Sequence, residues 1–251
     1  MSDDFALALE LADAADAISL PHFRTGIAVE TKPDLTPVTE ADRAVESELR
    51  RLLAANRPDD AVLGEEEGAS GSSERRWILD PIDGTRNYSR GVPVWGTLVA
   101  LEEAGVVRLG VASAPALGRR WWAGRGEGAY ADGDRIGVSS VARVEDAVLS
   151  FAYENGVPEI ARRAWHVRGL GDFWAHMLVA EGAVDGAVDS QGVNEWDLAA
   201  VQVIVEEAGG RFSDFSGESR IDGRSAVTSN GLLHDELLAA IGKPNGTTTQ
   251  Q

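Results

Sequence analysis

The stretch Trp77–Asn87, WILDPIDGTRN, constrains this chain more than any other. Its apolar run Trp77-Ile78-Leu79 predicts a buried strand that delivers Asp80 at its C-terminal end. Pro81 presets φ at about −65° and suits the second position of a tight turn, which would bring Asp80 and Asp83 within about 7 Å at their Cα atoms. Gly84 then relieves the backbone, and Thr85 opens a helical turn whose free N–H groups face outward. Two carboxylates beside unpaired N–H donors make a place for a hard cation and a phosphate together. A lone D-P-I-D reads more simply as an acidic turn with no ligand. The full order D-P-I-D-G-T behind a buried strand favours the ligand site.

Two further acidic clusters stand far from this one in the chain: Glu65-Glu66, inside Gly64–Gly68, and Asp197, in Trp196–Ala200. Asp197 also reads as an ordinary helix N-cap. If the three clusters meet, they need a cation, because two carboxylates about 4 Å apart repel by roughly 4 kcal/mol at an effective dielectric near 20. All are hard oxygen donors, with no Cys or His beside them in the sequence, which favours Mg²⁺ over zinc.

The balance of 41 acidic against 23 basic residues, a formal charge of −18, leaves no basic stripe for nucleic acid and no attraction to an anionic membrane. There is no cysteine, so thiolate chemistry and disulfides are excluded. The acidic, amphipathic start MSDDFALALELADAAD is not a signal peptide, and no apolar run has the roughly 20 residues needed to span a bilayer. A cytoplasmic chain is the expectation.

In order, the pattern predicts a helix from Asp4 to Phe23, a Pro-rich loop over Thr31–Thr39 and a helix from Thr39 to Asn56. Thr39 is its N-cap, and Asp42 resembles the reciprocal half of a capping box. A strand at Ala61–Leu63 and a surface loop over Ala69–Arg76 precede the central motif. Strands at Trp95–Glu102, Val106–Ser113, Arg120–Ala123, Gly128–Ala131 and Arg135–Val138 follow, with a tight hairpin at Asp132-Gly133. Beyond Ser139 strands alternate with helices at Gly171–Gly182, Asp197–Ala208 and Leu232–Ile241. The expected division is an N-terminal α+β part over residues 1–140, a C-terminal α/β part over 141–243 and a disordered tail over 244–251.

Gly64-Glu65-Glu66, Asp80–Thr85 (DPIDGT) and Trp196–Ala200 (WDLAA) together resemble the inositol-monophosphatase-like family of Mg²⁺-dependent phosphatases, over nearly the whole chain. The resemblance implies a layered αβαβα sandwich of the inositol monophosphatase and fructose-1,6-bisphosphatase type. It also implies a homodimer and two to three Mg²⁺ per subunit. By it, Glu65, Asp80 and the Ile82 carbonyl would hold one ion. Asp80, Asp83 and Asp197 would hold a second, and Glu65 would help with a third. Thr85, paired with Asp42, would activate the attacking water, and the N–H groups of Gly84 and Thr85 would bind phosphate. A rival phosphatase chemistry needs an Asp nucleophile two residues before Asp83. Pro81 stands there and cannot attack.

Within the family the whole-chain resemblance is to phosphatases of histidinol phosphate, through stretches such as Ala114–Tyr130 and Val167–Asp185. Asp172 stands where inositol-directed relatives carry a small or hydroxylated residue, and would suit a substrate ammonium group; it also reads as an N-cap. Asp189 and Asn194 are further candidate substrate contacts, with Glu195 beside them. Trp95, Trp174 and Trp196 could offer aromatic faces, although such residues more often belong to a core. The substrate expected is a small phosphomonoester, L-histidinol phosphate. Inositol 1-phosphate is the alternative, and an inactive phosphate-binding scaffold is the reading from another class.

Overall fold

The computed structural model describes residues 2–26, 29–31, 37–152, 158–190 and 192–241. The expected disordered tail lies outside them. Helix α1 (Asp3–His22) opens the chain, capped by Ser2, and carries Pro21 in its last turn. A short hairpin, β1 (Val29–Thr31) and β2 (Pro37–Thr39), leads into α2 (Glu40–Asn56).

The first sheet has eight strands. Its elements are β3 (Ala61–Gly64), β4 (Gly68–Ser70) and β5 (Arg75–Asp83), then, after the short helix α3 (Thr85–Ser89), β6 (Gly96–Glu103) and β7 (Val106–Ala114). Strands β8 (Arg119–Gly124), β9 (Gly128–Ala131) and β10 (Asp134–Arg135) complete it, in the order 10-9-8-7-6-5-3-4. All its pairings are antiparallel except β3 with β5. The stretch read as a surface loop, Ala69–Arg76, in fact supplies β4 residues and the start of β5: a hairpin partner rescues a polar sequence that has no strand period of its own. Asp132 and Gly133 both take positive φ, as the expected tight hairpin requires.

The second sheet draws on the rest of the chain: β11 (Val148–Ala152), β12 (His166–Arg168), β13 (Gly186–Asp189), β14 (Arg211–Ser213) and β15 (Ala226–Ser229), in the order 12-11-13-15-14. Helices α4 (Asp172–Ala180), α5 (Glu195–Glu207) and α6 (His234–Ile241) alternate with these strands. Helices α1 and α2 pack on one face of the first sheet, α4 and α5 fill the space between the sheets, and α6 covers the far face of the second. That is the expected αβαβα layering. Buried α4 and α5 are apolar nearly all round, and a helix hydrophobic on every side belongs between two layers. Their N-termini, with the C-terminal ends of β5 and β13, meet at one cavity.

Candidate active site

Asp80 and Asp83 reach the cavity through a bulge, not through the tight turn expected of Asp-Pro-Ile-Asp. Asp80 lies opposite Leu98 and Asp83 opposite Gly96, so three steps along β5 match two along β6. The extra residue shifts the side-chain alternation by one, which lets both carboxylates face the same way. Pro81 is tolerated because a bulged position needs no ladder hydrogen bond; its carbonyl accepts from Thr97 Oγ1 at 2.8 Å. Ile82 is fully buried with Tyr88 and Trp95 beneath the bulge and anchors it. Gly84 follows with φ 81°, a conformation suited to glycine, and Thr85 starts α3 as expected.

Asp42 and Asp197 are placed by the same device. Each is the third residue of its helix and closes a capping box. Asp42 Oδ2 accepts the Thr39 N–H at 2.8 Å, and Asp197 Oδ2 accepts the Asn194 N–H at 2.5 Å. One carboxylate oxygen thus serves the helix and the other is left for the site. Asp42 Oδ1 lies 3.4 Å from Thr85 Oγ1, whose hydroxyl donates to the Ile82 carbonyl at 3.0 Å. Asp197 is therefore not the N-cap it could have been; Asn194 is.

Glu65 follows β3, and its turn is gripped from below by Glu46, a residue the sequence reading missed. Glu46 is completely buried on α2, one turn after Asp42. Its carboxylate accepts the N–H groups of Glu66 (2.7 Å) and Glu67 (3.0 Å) and pairs with Arg50 (2.8 Å). Gly64 makes room for it, since a Cβ there would sit 2.2 Å from Glu46 Oε1. The available signal was a glutamate within the apolar stripe Val45, Leu49, Leu53.

Ligand oxygens of Asp80, Asp83 and Asp197 lie within 4.8 Å of one another. Burial, then the charges of Glu65, Asp83 and Asp197, holds the Asp80 carboxyl well above the usual carboxylate range. Asp83 is raised likewise by burial and by Asp172, although the Phe173 N–H donates to it at 2.6 Å. Burial pushes Asp197 up to about 7 and Asp42 up to about 6. Among the described residues, neither oxygen of Asp80 receives a hydrogen bond from an N–H or hydroxyl group; a proton shared with Asp197 is the relief open to it without an ion. A buried carboxylate with both oxygens unsatisfied is costly unless a cation meets it. The donor set is all oxygen, so it fits a hard divalent ion of the Mg²⁺ type. The Ile82 carbonyl keeps a lone pair after accepting from Thr85.

The cavity encloses about 520 Å³, and Asp172, Asp189, Trp174 and Trp196 also line it. Asp172 is the first residue of α4, behind Gly171 as N-cap, so the N-cap reading fails. Its φ of 55° is strained for a residue with a Cβ, and its Oδ2 accepts from Asn87 Nδ2 at 3.1 Å. Asn194 borders the cavity, but its side chain donates to the Gly192 carbonyl and accepts from Arg224. Glu195 turns away to Arg76, 2.5 Å distant. Trp95 lies in the core below the bulge, with its ring against Tyr88. His176, unremarked in the sequence, also walls the cavity; its Nδ1 pairs with Thr228 Oγ1 at 2.8 Å, and burial pulls its pKa down to about 4.

The sequence profile of the inositol monophosphatase family matches residues 1–244. A histidinol-phosphatase of Mycobacterium tuberculosis is 52% identical, with 95% of this chain and 98% of that protein covered. One from Streptomyces coelicolor is 48% identical, with 94% and 96% covered. Among solved structures, an IMPase of Thermotoga maritima superposes with a TM-score of 0.86 at 34% identity, covering 95% of each chain. The bulged Asp-Pro-Ile-Asp strand and the two capping-box aspartates are thus set in a shared scaffold: this chain belongs to the inositol monophosphatase family.

Proposed function

We propose that this chain is a Mg²⁺-dependent phosphomonoesterase that hydrolyses L-histidinol phosphate to L-histidinol and phosphate. The observation that carries the reaction class is the buried, unsatisfied Asp80 between Asp83 and Asp197. The full-length similarity to the two histidinol-phosphatases supports the substrate. The acidic residues Asp172 and Asp189 in the cavity lining complement a cationic, nitrogen-bearing alcohol.

Glu65, Asp80 and the Ile82 carbonyl would hold one ion; Asp80, Asp83 and Asp197 a second; and Glu65 would assist a third. When bound, such ions lower the pKa of the attacking water and offset charge on the leaving alkoxide. Thr85 Oγ1, released from the Ile82 carbonyl, would orient that water and pass a proton to Asp42 Oδ1. A carboxylate with a pKa of about 6 suits that task near neutral pH. The N–H groups of Gly84 and Thr85 would hold phosphate oxygens. The water oxygen would bond to phosphorus as the P–O bond to the ester oxygen breaks, that oxygen would take a proton from solvent water, and L-histidinol would leave. Asp172 would receive the substrate ammonium group, with Trp174 and Trp196 flanking the ring. Asp189 would be a second acidic contact, while Asn194 would shape the wall more than bind.

The complete set of oxygen donors argues against an inactive scaffold. Phosphate release from L-histidinol phosphate and from inositol 1-phosphate, compared as kcat/KM with Mg²⁺, tests the reading. A preference for the inositol ester would overturn the substrate assignment. A homodimer in the cytoplasm belongs to the same proposal; the family resemblance supports the first and the cysteine-free composition the second. Sedimentation at micromolar concentration tests the dimer.

A further inference from the structure

Among the described residues that wall the cavity, Arg86 is the one Lys or Arg, against six carboxylates at Glu65, Asp80, Asp83, Asp172, Asp189 and Asp197. Other arginines of this chain are committed to acids: Arg75 to Asp4, Asp60 and Glu103, and Arg120 to Asp13 and Asp16. The Arg86 guanidinium is exposed and makes no hydrogen bond or close ion pair among the described residues; its charge is felt by the Asp172 carboxyl, whose pKa it lowers against the rise caused by burial. Its backbone, by contrast, is held on both sides. Thr85 is tied to Ile82, and Asn87 donates to the Val94 carbonyl at 2.8 Å and to Asp172. An exposed cation on an anchored backbone, attracted to Asp172 but not hydrogen-bonded to it, is placed to meet an anion that arrives from solvent.

A phosphomonoester dianion entering this cavity faces carboxylates on every wall. The carboxylates that could hold divalent ions lie deep, at Asp80 and Asp83. The phosphate oxygens that face the mouth need a separate donor, and a guanidinium offers two parallel N–H groups in the geometry such oxygens accept. We propose that Arg86 is a substrate-binding residue that grips the phosphate group at the cavity mouth and sets the affinity for ester and for product phosphate. The proposal rests on the phosphatase reading but not on the identity of the alcohol.

Inorganic phosphate is the probe. In the full chain with saturating Mg²⁺, Arg86→Ala is expected to raise the inhibition constant of phosphate and the KM of the ester by about tenfold each, with kcat changed less than about threefold. Arg86→Lys should recover part of the loss, since it restores the charge but not the fork. The fall of kcat/KM with added salt should flatten in Arg86→Ala. A merely structural role would lower kcat and melting temperature without this split. Should L-histidinol phosphate prove not to be turned over, calorimetric titration of phosphate in the presence of Mg²⁺ asks the same question independently of substrate. Phosphate affinity within twofold of wild type in Arg86→Ala overturns the proposal in either format.

Discussion

Asp80 is the residue on which the site turns, and its position has an energetic signature. A carboxylate 1% exposed, beside Asp83 and Asp197 and with no hydrogen-bond donor among the described residues, destabilises the fold whenever it is ionised and no cation is present. Asp80→Asn removes that charge at nearly constant volume. It is expected to stabilise the metal-free protein by about 1–3 kcal/mol and to abolish the gain in melting temperature on adding Mg²⁺. Thermal melts with chelator and with Mg²⁺ check both; a variant that melts lower than wild type in chelator contradicts the argument. These acidic residues were legible in the sequence because their types and order are distinctive. Glu46 was not, because a glutamate in a helix reads as solvated until the fold shows it completely buried under the Glu65 turn.

At the scale of elements, the site is an assembly of strand and helix ends, and the second-tier contacts hold those ends in register. Glu46→Ala would take the acceptor from the Glu66 and Glu67 N–H groups and the buried acid partner from Arg50, which keeps Ser70 and the Gly68 carbonyl. It should cost about 3 kcal/mol in denaturant unfolding and raise the Mg²⁺ concentration for half-maximal activity. An unchanged Mg²⁺ requirement would show that the Glu65 turn holds itself. Helix α6 offers a separate test. Ser213 Oγ donates to the Asp214 carbonyl, so it accepts from His234 Nε2–H at 2.9 Å, and His234 Nδ1 is left to accept from Ser229 Oγ at 3.0 Å. The ring is buried and neutral, and burial lowers its pKa to about 4 from 6.5. The unfolded chain therefore takes up this proton first as pH falls. The contribution of His234 is fully present above pH 6.5 and is lost as pH drops through 4. Melting temperature should fall over that window, and His234→Asn should flatten the fall; parallel curves would exclude His234 as its source. Element types were mostly readable from periodicity. The β5 bulge was not, because Pro-Ile-Asp looks like a turn unless the partner strand β6 is known.

On the scale of the whole molecule, five layers bring acids from opposite ends of the chain to one point, and the protein bears the repulsion between them. The order of helices and strands gave an α+β part followed by an α/β part, and the αβαβα layering came from the family resemblance of the acidic motifs. The rest of the cavity lining was only partly legible: Asp172 was singled out, but its strained backbone and its contact with Asn87 arise from the meeting of α3 and α4, which no local pattern reports. The convergence also fixes the sign of a pH effect. The folded-state pKa values of Asp197, about 7, and Asp42, about 6, lie above the unfolded value of 3.8, so the folded state takes up these protons first. Their ionisation costs stability in full above pH 7, and the cost fades as pH falls toward 4. Mg²⁺ should accordingly raise the melting temperature more at pH 8 than at pH 5, where protons compete for the same oxygens; an equal gain at both would place the ion elsewhere. The most direct test of the account is phosphate release from L-histidinol phosphate, measured against Mg²⁺ concentration for wild type and Asp80→Asn. Saturable dependence on Mg²⁺, loss of release in chelator and a drop of at least about a thousandfold in kcat for Asp80→Asn are expected. Turnover that survives chelation, or survives in the variant, would contradict it.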